Sequence, residues 1–429
     1  MCYNVDKSIV GGQFMSDKAI ITPITSTGMG WAAIDQREID AVTALLRDPE
    51  SLFRYRGEIP GQCGLFEQEA CQKLGVAHAL FVNSGTAALS CCLASLGIGP
   101  GDEVIVPAYT YIATAAAVVA VGAVPVLCEI DESLGLDPAD VEKKITPYTR
   151  AVILVHMQGV PGRIQAVREV CRAKDVKLIE DCCQAIGTKY FGKYTGVDSD
   201  AFAWSLNYFK VITCGEGGVF FTNDDAAFLR GVYESDPGSP MWDSGLLGDL
   251  QLPPHSRSGF RGNEISAAIA RVQLEKLEDI LAHTRGLKKR LIAKLNPPAN
   301  YHLQHVDDPE GDNGVSTTLI ANTADLARAF SAKLLEQGLS IGSVYNTGFP
   351  DRHIYTYWDS ILTKTGATPA GYPWADPAYK GNVEYSKQSC PRTLDILARC
   401  LRLSFDLGYT QQNIDEIAEA INRVDTALS

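Results

Sequence analysis

The spacing of apolar positions changes along this chain, and the changes mark its elements. From Ile34 to Leu46 the residues Ile34, Ile39, Val42, Leu45 and Leu46 recur at helical intervals. The stretch 54–64, RYRGEIPGQCG, breaks that period with Gly and Pro and predicts a loop. From about Ala77 to Thr222 the pattern becomes short β-branched runs: 79–82, 103–107, 124–130, 151–156, 177–181 and 218–222. Several are continuous rather than alternating, as in strands covered on both faces. The segments after Gly85 and after Tyr111 are apolar nearly all round, which predicts buried helices. Strands alternating with helices predict an α/β fold with a mostly parallel sheet between helical layers.

The C-terminal part reads differently. A long helix is predicted near 264–283, where Ile265, Ile269, Val272, Leu277 and Ile280 share a face. Beyond about Pro297 a smaller α+β unit follows. In it, Leu326, Phe330 and Leu334 mark a helix stopped by Gly338. LSIGSVY (339–345) predicts a strand, 361–386 a long loop, and Thr410 the N-cap of a last helix carrying Ile414, Ile417, Ile421 and Val424. The domain organisation expected is an N-terminal segment, 1–40, packed on the small domain, a large domain over 41–290, and a small C-terminal domain over 291–429.

Composition narrows the function. The 429 residues include 38 Lys+Arg against 51 Asp+Glu, a net charge of −13, so nucleic acid and anionic membranes are poor partners. No run approaches the ~18 apolar residues of a membrane helix. The N-terminus has no signal-peptide pattern, so a cytoplasmic location is expected. The twelve cysteines fit no zinc-binding spacing and predict reduced thiols, with no metal site.

In parallel α/β sheets ligands bind beyond the carboxyl ends of the strands. Three places stand out there. NSGTAAL (83–89) follows a strand and opens a helix. Gly85 permits a tight turn, and Thr86 lies where free N–H groups favour a phosphate, or else Ser84 or Thr86 is a plain N-cap. Glu180 and Asp181 end an apolar strand, where an acid either holds a cationic ring nitrogen or is a satisfied structural carboxylate. Lys210 lies between AFAWSLNYF and VITCGEGG, as a desolvated nucleophile or as a lysine reaching to the surface. Together the three offer a phosphate seat, an acid for a ring nitrogen and an amine, the parts that pyridoxal phosphate requires.

NSGTAAL, GDEVIVPAYTYIAT, IEDCCQAIG, SLNYFKVITCGEGG and AAIARVQLEKL occur in this order, and with them the chain, from Ile34 to Val424, resembles the DegT/StrS-type sugar aminotransferases, pyridoxal phosphate enzymes of fold type I. The resemblance implies a seven-stranded, mostly parallel sheet in the large domain and a homodimer with active sites near the interface. It implies Lys210 as Schiff-base lysine and proton shuttle, and Asp181 as partner of the pyridine nitrogen. Gln184 is implied beside the phenolic oxygen, Gly85, Thr86 and Ser205 around the phosphate, and Tyr111 stacked on the ring. His156, Arg261, His353 and Tyr355 are the candidate substrate contacts.

The reaction implied moves an amino group from glutamate or glutamine to a keto or aldehyde group of a sugar, sugar acid or cyclitol. The alternative is a lyase or dehydratase of the same fold. GDNGVS, RHIYTYWDSIL and CPRTLDILARCLRLS are most similar to an octulosonate transaminase branch. One position departs from the pattern: Gly259 stands where the family carries an asparagine that reaches the partner subunit's cofactor phosphate, with Arg257, Ser258 or Asn263 as substitutes.

Overall fold

The computed structural model describes residues 21–22, 24, 27–55, 60–238, 250, 252–255, 258–345 and 350–429. Most of the first thirty residues, expected to be irregular, and Arg257 lie outside that set. The strands are β1 His78–Val82, β2 Glu103–Pro107, β3 Val124–Cys128, β4 Thr149–Val155, β5 Lys177–Asp181, β6 Lys189–Tyr190, β7 Lys193–Tyr194, β8 Ala201–Ser205, β9 Gly218–Thr222, β10 Tyr301–Leu303, β11 Ser316–Ala321 and β12 Cys400–Ser404. The helices are α1 Gln36–Arg47, α2 Gln62–Leu74, α3 Gly85–Ser95, α4 Ala113–Ala120, α5 Pro138–Lys144 and α6 Ile164–Ala173. After them come α7 Asp225–Ser235, α8 Glu264–Lys294, α9 Ala324–Glu336, α10 Asp359–Leu362, α11 Pro391–Arg399 and α12 Gln411–Leu428.

Seven strands form the central sheet in the order β1-β9-β8-β5-β4-β2-β3. All are parallel except β9, which runs against both β1 and β8. Strand alternation places successive residues in different cores. Leu80, Val82, Val104 and Val106 pack with α3, α4 and α7 on one face. Ala79 and Phe81 pack with α2 and α8, and Ile105 with α5 and α6, on the other. Apolar side chains therefore fill both sides, which is why the runs are continuous.

α8 extends to Lys294, eleven residues past its expected end, because it serves two cores. Leu274, Leu277 and Leu281 join the large sheet's core, and Leu287 and Leu291 join that of the small sheet β10-β11-β12. Thr410 caps α12 as expected, in a reciprocal box with Asn413. Gly338 follows α9 at φ +89°.

Two expectations are corrected. Residues 339–345 form no strand. They make one bridge, Ser343 to Leu401, and Ser343 Oγ lies within hydrogen-bonding distance of the carbonyls of Leu397 and Ala398, which draws it away from a ladder. The loop expected over 54–64 ends early, since α2 begins at Gln62.

Candidate active site

The site lies at the carboxyl ends of β1, β5 and β8. After β1, Ser84 caps α3, its hydroxyl accepting from the Ala87 amide at 3.1 Å. Thr86 is exposed in the first turn of that helix. Gly85 is buried against β8, and a Cβ there would lie 2.6 Å from Ser205 Cβ. Gly218, opening β9, approaches the same turn so closely that a Cβ would lie 2.2 Å from the Ser84 carbonyl oxygen. The glycines of GEGG thus let β9 enter the sheet against the start of α3.

β5 splits its two terminal acids between faces. Glu180, fully buried, accepts from the Gly196 amide at 2.8 Å and from His156 Nε2 at 2.9 Å. His156 Nδ1 accepts from the Gly162 amide at 3.1 Å, which puts the ring proton on Nε2. Both ring nitrogens are therefore taken. His156, Glu180 and Cys182 have ligand atoms within 4.8 Å of one another, but this is a hydrogen-bonded scaffold rather than a cation's ligand set.

Asp181, 4% exposed, faces the other way. Its Oδ2 accepts from Thr114 Oγ1 at 3.0 Å, and its Oδ1 accepts from the Cys183 amide at 3.0 Å. A carboxylate has about four acceptor sites, so capacity remains. Lys210 is half-buried nearby, and among the described residues no carboxylate pairs with its ammonium. Burial and then the Asp181 carboxylate push the Cys183 thiol up, while the Lys210 charge pulls it down, so both charges are felt at Cys183.

Gln184 Oε1 accepts from the Gln158 amide at 3.1 Å. Gln158 has φ +57°, uncommon for a residue with a Cβ, and Ser316 Oγ holds its carbonyl at 2.9 Å. Tyr111 is exposed, with its ring 5.3 Å from that of His353. His353 Nδ1 is 2.7 Å from Asp351 Oδ1.

Of the other candidate substrate contacts, His156 and Tyr355 are turned inward. His156 is sealed in the scaffold just described. Tyr355 is fully buried, its hydroxyl donating to the Lys387 carbonyl and accepting from the Cys390 amide, so it closes the core rather than meeting a ligand. Arg261 is largely exposed, 3.5 Å from Asp236. A side chain at Gly259 would meet open space. Of its substitutes, Asn263 caps α8 and Ser258 bonds Glu234.

Thr114 and Gln158 were not singled out in the sequence. The signal for Thr114 was a hydroxyl in the otherwise apolar IATAAAVVAVG. The eleven described cysteines are all free, and most are buried. Among the described residues no helix is long and apolar enough to cross a membrane.

A doubly covered α/β sheet with a lysine, an acid and a helix start at its strand ends defines a cofactor-dependent enzyme. The DegT/DnrJ/EryC1/StrS aminotransferase family matches residues 34–370, and the chain belongs to it. It is an aminotransferase, and its cofactor is pyridoxal 5′-phosphate.

Solved structures agree on the fold. 3-Amino-5-hydroxybenzoic acid synthase is 25% identical, with 95% of this chain and 100% of that one covered and a TM-score of 0.73. DesV of S. venezuelae, solved with a ketimine intermediate, is 27% identical over 94% and 99%, TM-score 0.72. Helicobacter pylori PseC, an aminotransferase of pseudoaminic acid biosynthesis, is 21% identical over 94% and 100%, TM-score 0.70. The residues fit the cofactor. A buried carboxylate with spare acceptor capacity suits a ring nitrogen, and a glycine-opened helix start suits a phosphate.

Proposed function

We propose that this aminotransferase takes its amino group from glutamate or glutamine and delivers it to a keto or aldehyde group of a sugar, sugar acid or cyclitol. The observation that supports the assignment of roles is the placement of Asp181, Gln184, Gly85, Ser205 and, without a carboxylate partner among the described residues, Lys210 beyond the ends of β1, β5 and β8 in one sheet. Pyridoxal phosphate, when bound, withdraws electrons from the amino acid's Cα. Asp181, fixed by Thr114 and the Cys183 amide, keeps a proton on the ring nitrogen. Thr86, Ser205 and the first amides of α3 hold the phosphate, where the helix dipole favours an anion. Gln184 keeps its Nε2 donor for the phenolic oxygen, because its Oε1 is occupied by Gln158. Tyr111 covers one face of the ring. The Lys210 amine anchors the cofactor and carries the proton that leaves Cα.

We also propose a homodimer. Ile34, Ile39, Leu46, Leu52 and Phe53 around α1, and Tyr208 and Phe209 beside Lys210, are large apolar side chains left exposed. Trp31 stacks on Tyr208 at 5.6 Å, joining the two groups into one surface.

The test is Lys210→Ala. The variant is expected to lose turnover and the visible absorbance of lysine-bound cofactor, while the wild type converts L-glutamate to 2-oxoglutarate. Retained turnover in Lys210→Ala would end the assignment.

A further inference from the structure

Glu38 on α1, with Gln273 and Lys276 on α8, forms a buried polar group that the roles assigned so far do not use. Lys276 Nζ donates to Glu38 Oε1 and to the Ala33 carbonyl, both at 2.6 Å. Gln273 Nε2 donates to the same Glu38 oxygen at 2.8 Å. Gln273 Oε1 accepts from the Thr213 amide at 3.3 Å. Thr213 lies just past Lys210, so a network between two helices ends on the loop that carries the lysine.

The neck of that loop is closed by its own backbone. The Leu206 carbonyl accepts from the Cys214 amide at 3.0 Å and from the Thr213 hydroxyl at 3.1 Å, and the Leu206 amide donates to the Gly217 carbonyl at 2.8 Å. The Lys210 carbonyl is held from outside the loop, by the Gly30 amide at 3.1 Å. Gly30 lies so close that a Cβ there would be 2.8 Å from Ile212 Cα and from the Thr213 nitrogen, and 2.9 Å from Gln273 Oε1. The next residue, Trp31, stacks on Tyr208 with the rings 8° from parallel. The chain on either side of Gly30 is tied down as well. Before it, the Gly28 amide donates to Asp406 Oδ2 at 3.2 Å, and the Gly28 carbonyl accepts from the Leu407 amide at 3.2 Å, just past β12. After it, Lys276 holds the Ala33 carbonyl, and Glu38 Oε2 accepts from the Asp35 amide at 2.9 Å. A buried network whose groups are satisfied in this way rigidifies one arrangement.

We propose that the segment Gly28–Glu38, together with Gln273, is a clamp that positions Lys210. Gly30 fixes the lysine's carbonyl and Gln273 fixes the Thr213 amide, and between them they set the point from which the side-chain amine reaches. These are positioning residues, acting through the backbone of Lys210. The bond they serve joins the lysine nitrogen to the aldehyde carbon of the cofactor and releases water. A misplacement of about 1 Å lowers the rate of such a step by up to about a hundredfold. The inference rests on the reading of Lys210 as the anchoring amine.

The test compares the full-length wild type with Gly30→Ala, Gln273→Met and, as a match in lost stability, Phe330→Leu in the small core. Hydrogen exchange over 206–217 is measured in the apoprotein by mass spectrometry. In the holoenzyme, borohydride fixes the cofactor that is joined to Lys210, and peptide mass spectrometry follows how fast that fraction grows after pyridoxal phosphate is added. Gly30→Ala and Gln273→Met are expected to speed exchange over 206–217 about five- to tenfold, the effect of losing one or two hydrogen bonds. They should slow the joining of cofactor to Lys210 by about ten- to a hundredfold. Phe330→Leu should change neither, at an equal fall in melting temperature. Gln273→Met keeps the length of the buried side chain and carries the test should Gly30→Ala fail to fold. Variants that match wild type in both measurements overturn the proposal, as does Phe330→Leu shifting them as far. A wild type that fixes no cofactor on Lys210 overturns the functional reading, and the exchange over 206–217 then still decides whether the segment clamps the loop.

Discussion

Replacing Thr114 with valine tests how Asp181 is held. The Thr114 hydroxyl has one proton, and it points 3.0 Å to Asp181 Oδ2. Its oxygen lies 2.8 Å from Thr110 Oγ1, so Thr110 donates to Thr114 and Thr114 to the carboxylate. Valine keeps the shape and removes both bonds. A bond to an ionised group contributes about 1.5–3 kcal/mol and a neutral one about 0.5–1.5 kcal/mol. Thr110 is 1% exposed, so water does not readily replace what it loses. A destabilisation of about 2–4.5 kcal/mol is expected in urea unfolding of the apoprotein. A carboxylate free to turn also binds the ring nitrogen less well. Affinity falls only by what the holoenzyme loses beyond the apoprotein, and an extra ~1.4 kcal/mol there weakens pyridoxal phosphate binding about tenfold. Thr114→Ser keeps the hydroxyl and should retain the affinity, losing only about 0.8 kcal/mol for one methyl group. Valine matching wild type in both stability and cofactor affinity, or serine failing as badly as valine, would refute the hydrogen-bond argument.

Gly218→Ala puts a Cβ 2.2 Å from the Ser84 carbonyl oxygen, about 1 Å inside an ordinary C···O contact of roughly 3.3 Å. Neither backbone can yield freely, so a loss of about 1–3 kcal/mol and weakened cofactor binding are expected. As a control, Gly286→Ala in α8 meets no atom within 4 Å and should stabilise by about 0.5–1 kcal/mol, both read from urea midpoints. Glu38→Gln removes the buried partner 2.6 Å from Lys276, 7% exposed, which keeps Asp35 at 3.2 Å and the Ala33 carbonyl at 2.6 Å, so the cost near neutral pH should be about 1.5–3 kcal/mol. Burial pushes the Glu38 carboxyl up, but bonds from Lys276, the Asp35 amide and Gln273 outweigh it and lower the pKa. The stabilisation is therefore complete above the usual glutamate range and is lost as pH falls through the lowered folded value, where the gap between variant and wild type should close in paired melts.

Strand ends were legible because a parallel sheet delivers every crossover loop to the same edge, so Lys210, Asp181 and Gly85 share a neighbourhood by topology alone. Side-chain direction was not. His156 and Tyr355 lie in the right segments, yet their polar atoms point into the scaffold, and nothing in their spacing says so. β8 does have a turn signal before it, TGVDSD, but the apolar run 201–206 reads equally as the approach to Lys210. β12 was hidden for a different reason. α11 ends at Arg399 and β12 begins at Cys400 with no Gly or Pro between them, so LARCLRLS carries no mark of its change of period. Only its pairing register with β11 shows which of its side chains face the small core.

That register ties the small sheet to the chemistry. Ser316 holds the Gln158 carbonyl, the Gln158 amide holds Gln184, and Asn313 Nδ2 donates to the Gln184 carbonyl at 3.3 Å. The first and last of these contacts begin at or just before β11. A slip of one residue in that strand would turn Thr318 and Ser316 into the small core and bring Leu319 toward the site. The apolar alternation that packs Leu319, Leu401 and Leu403 against α9 and α12 prevents the slip. The hydrophobic pattern of the C-terminal unit thus sets which polar groups face the cofactor side, and the position of Gln184 depends on packing more than a hundred residues further along the chain.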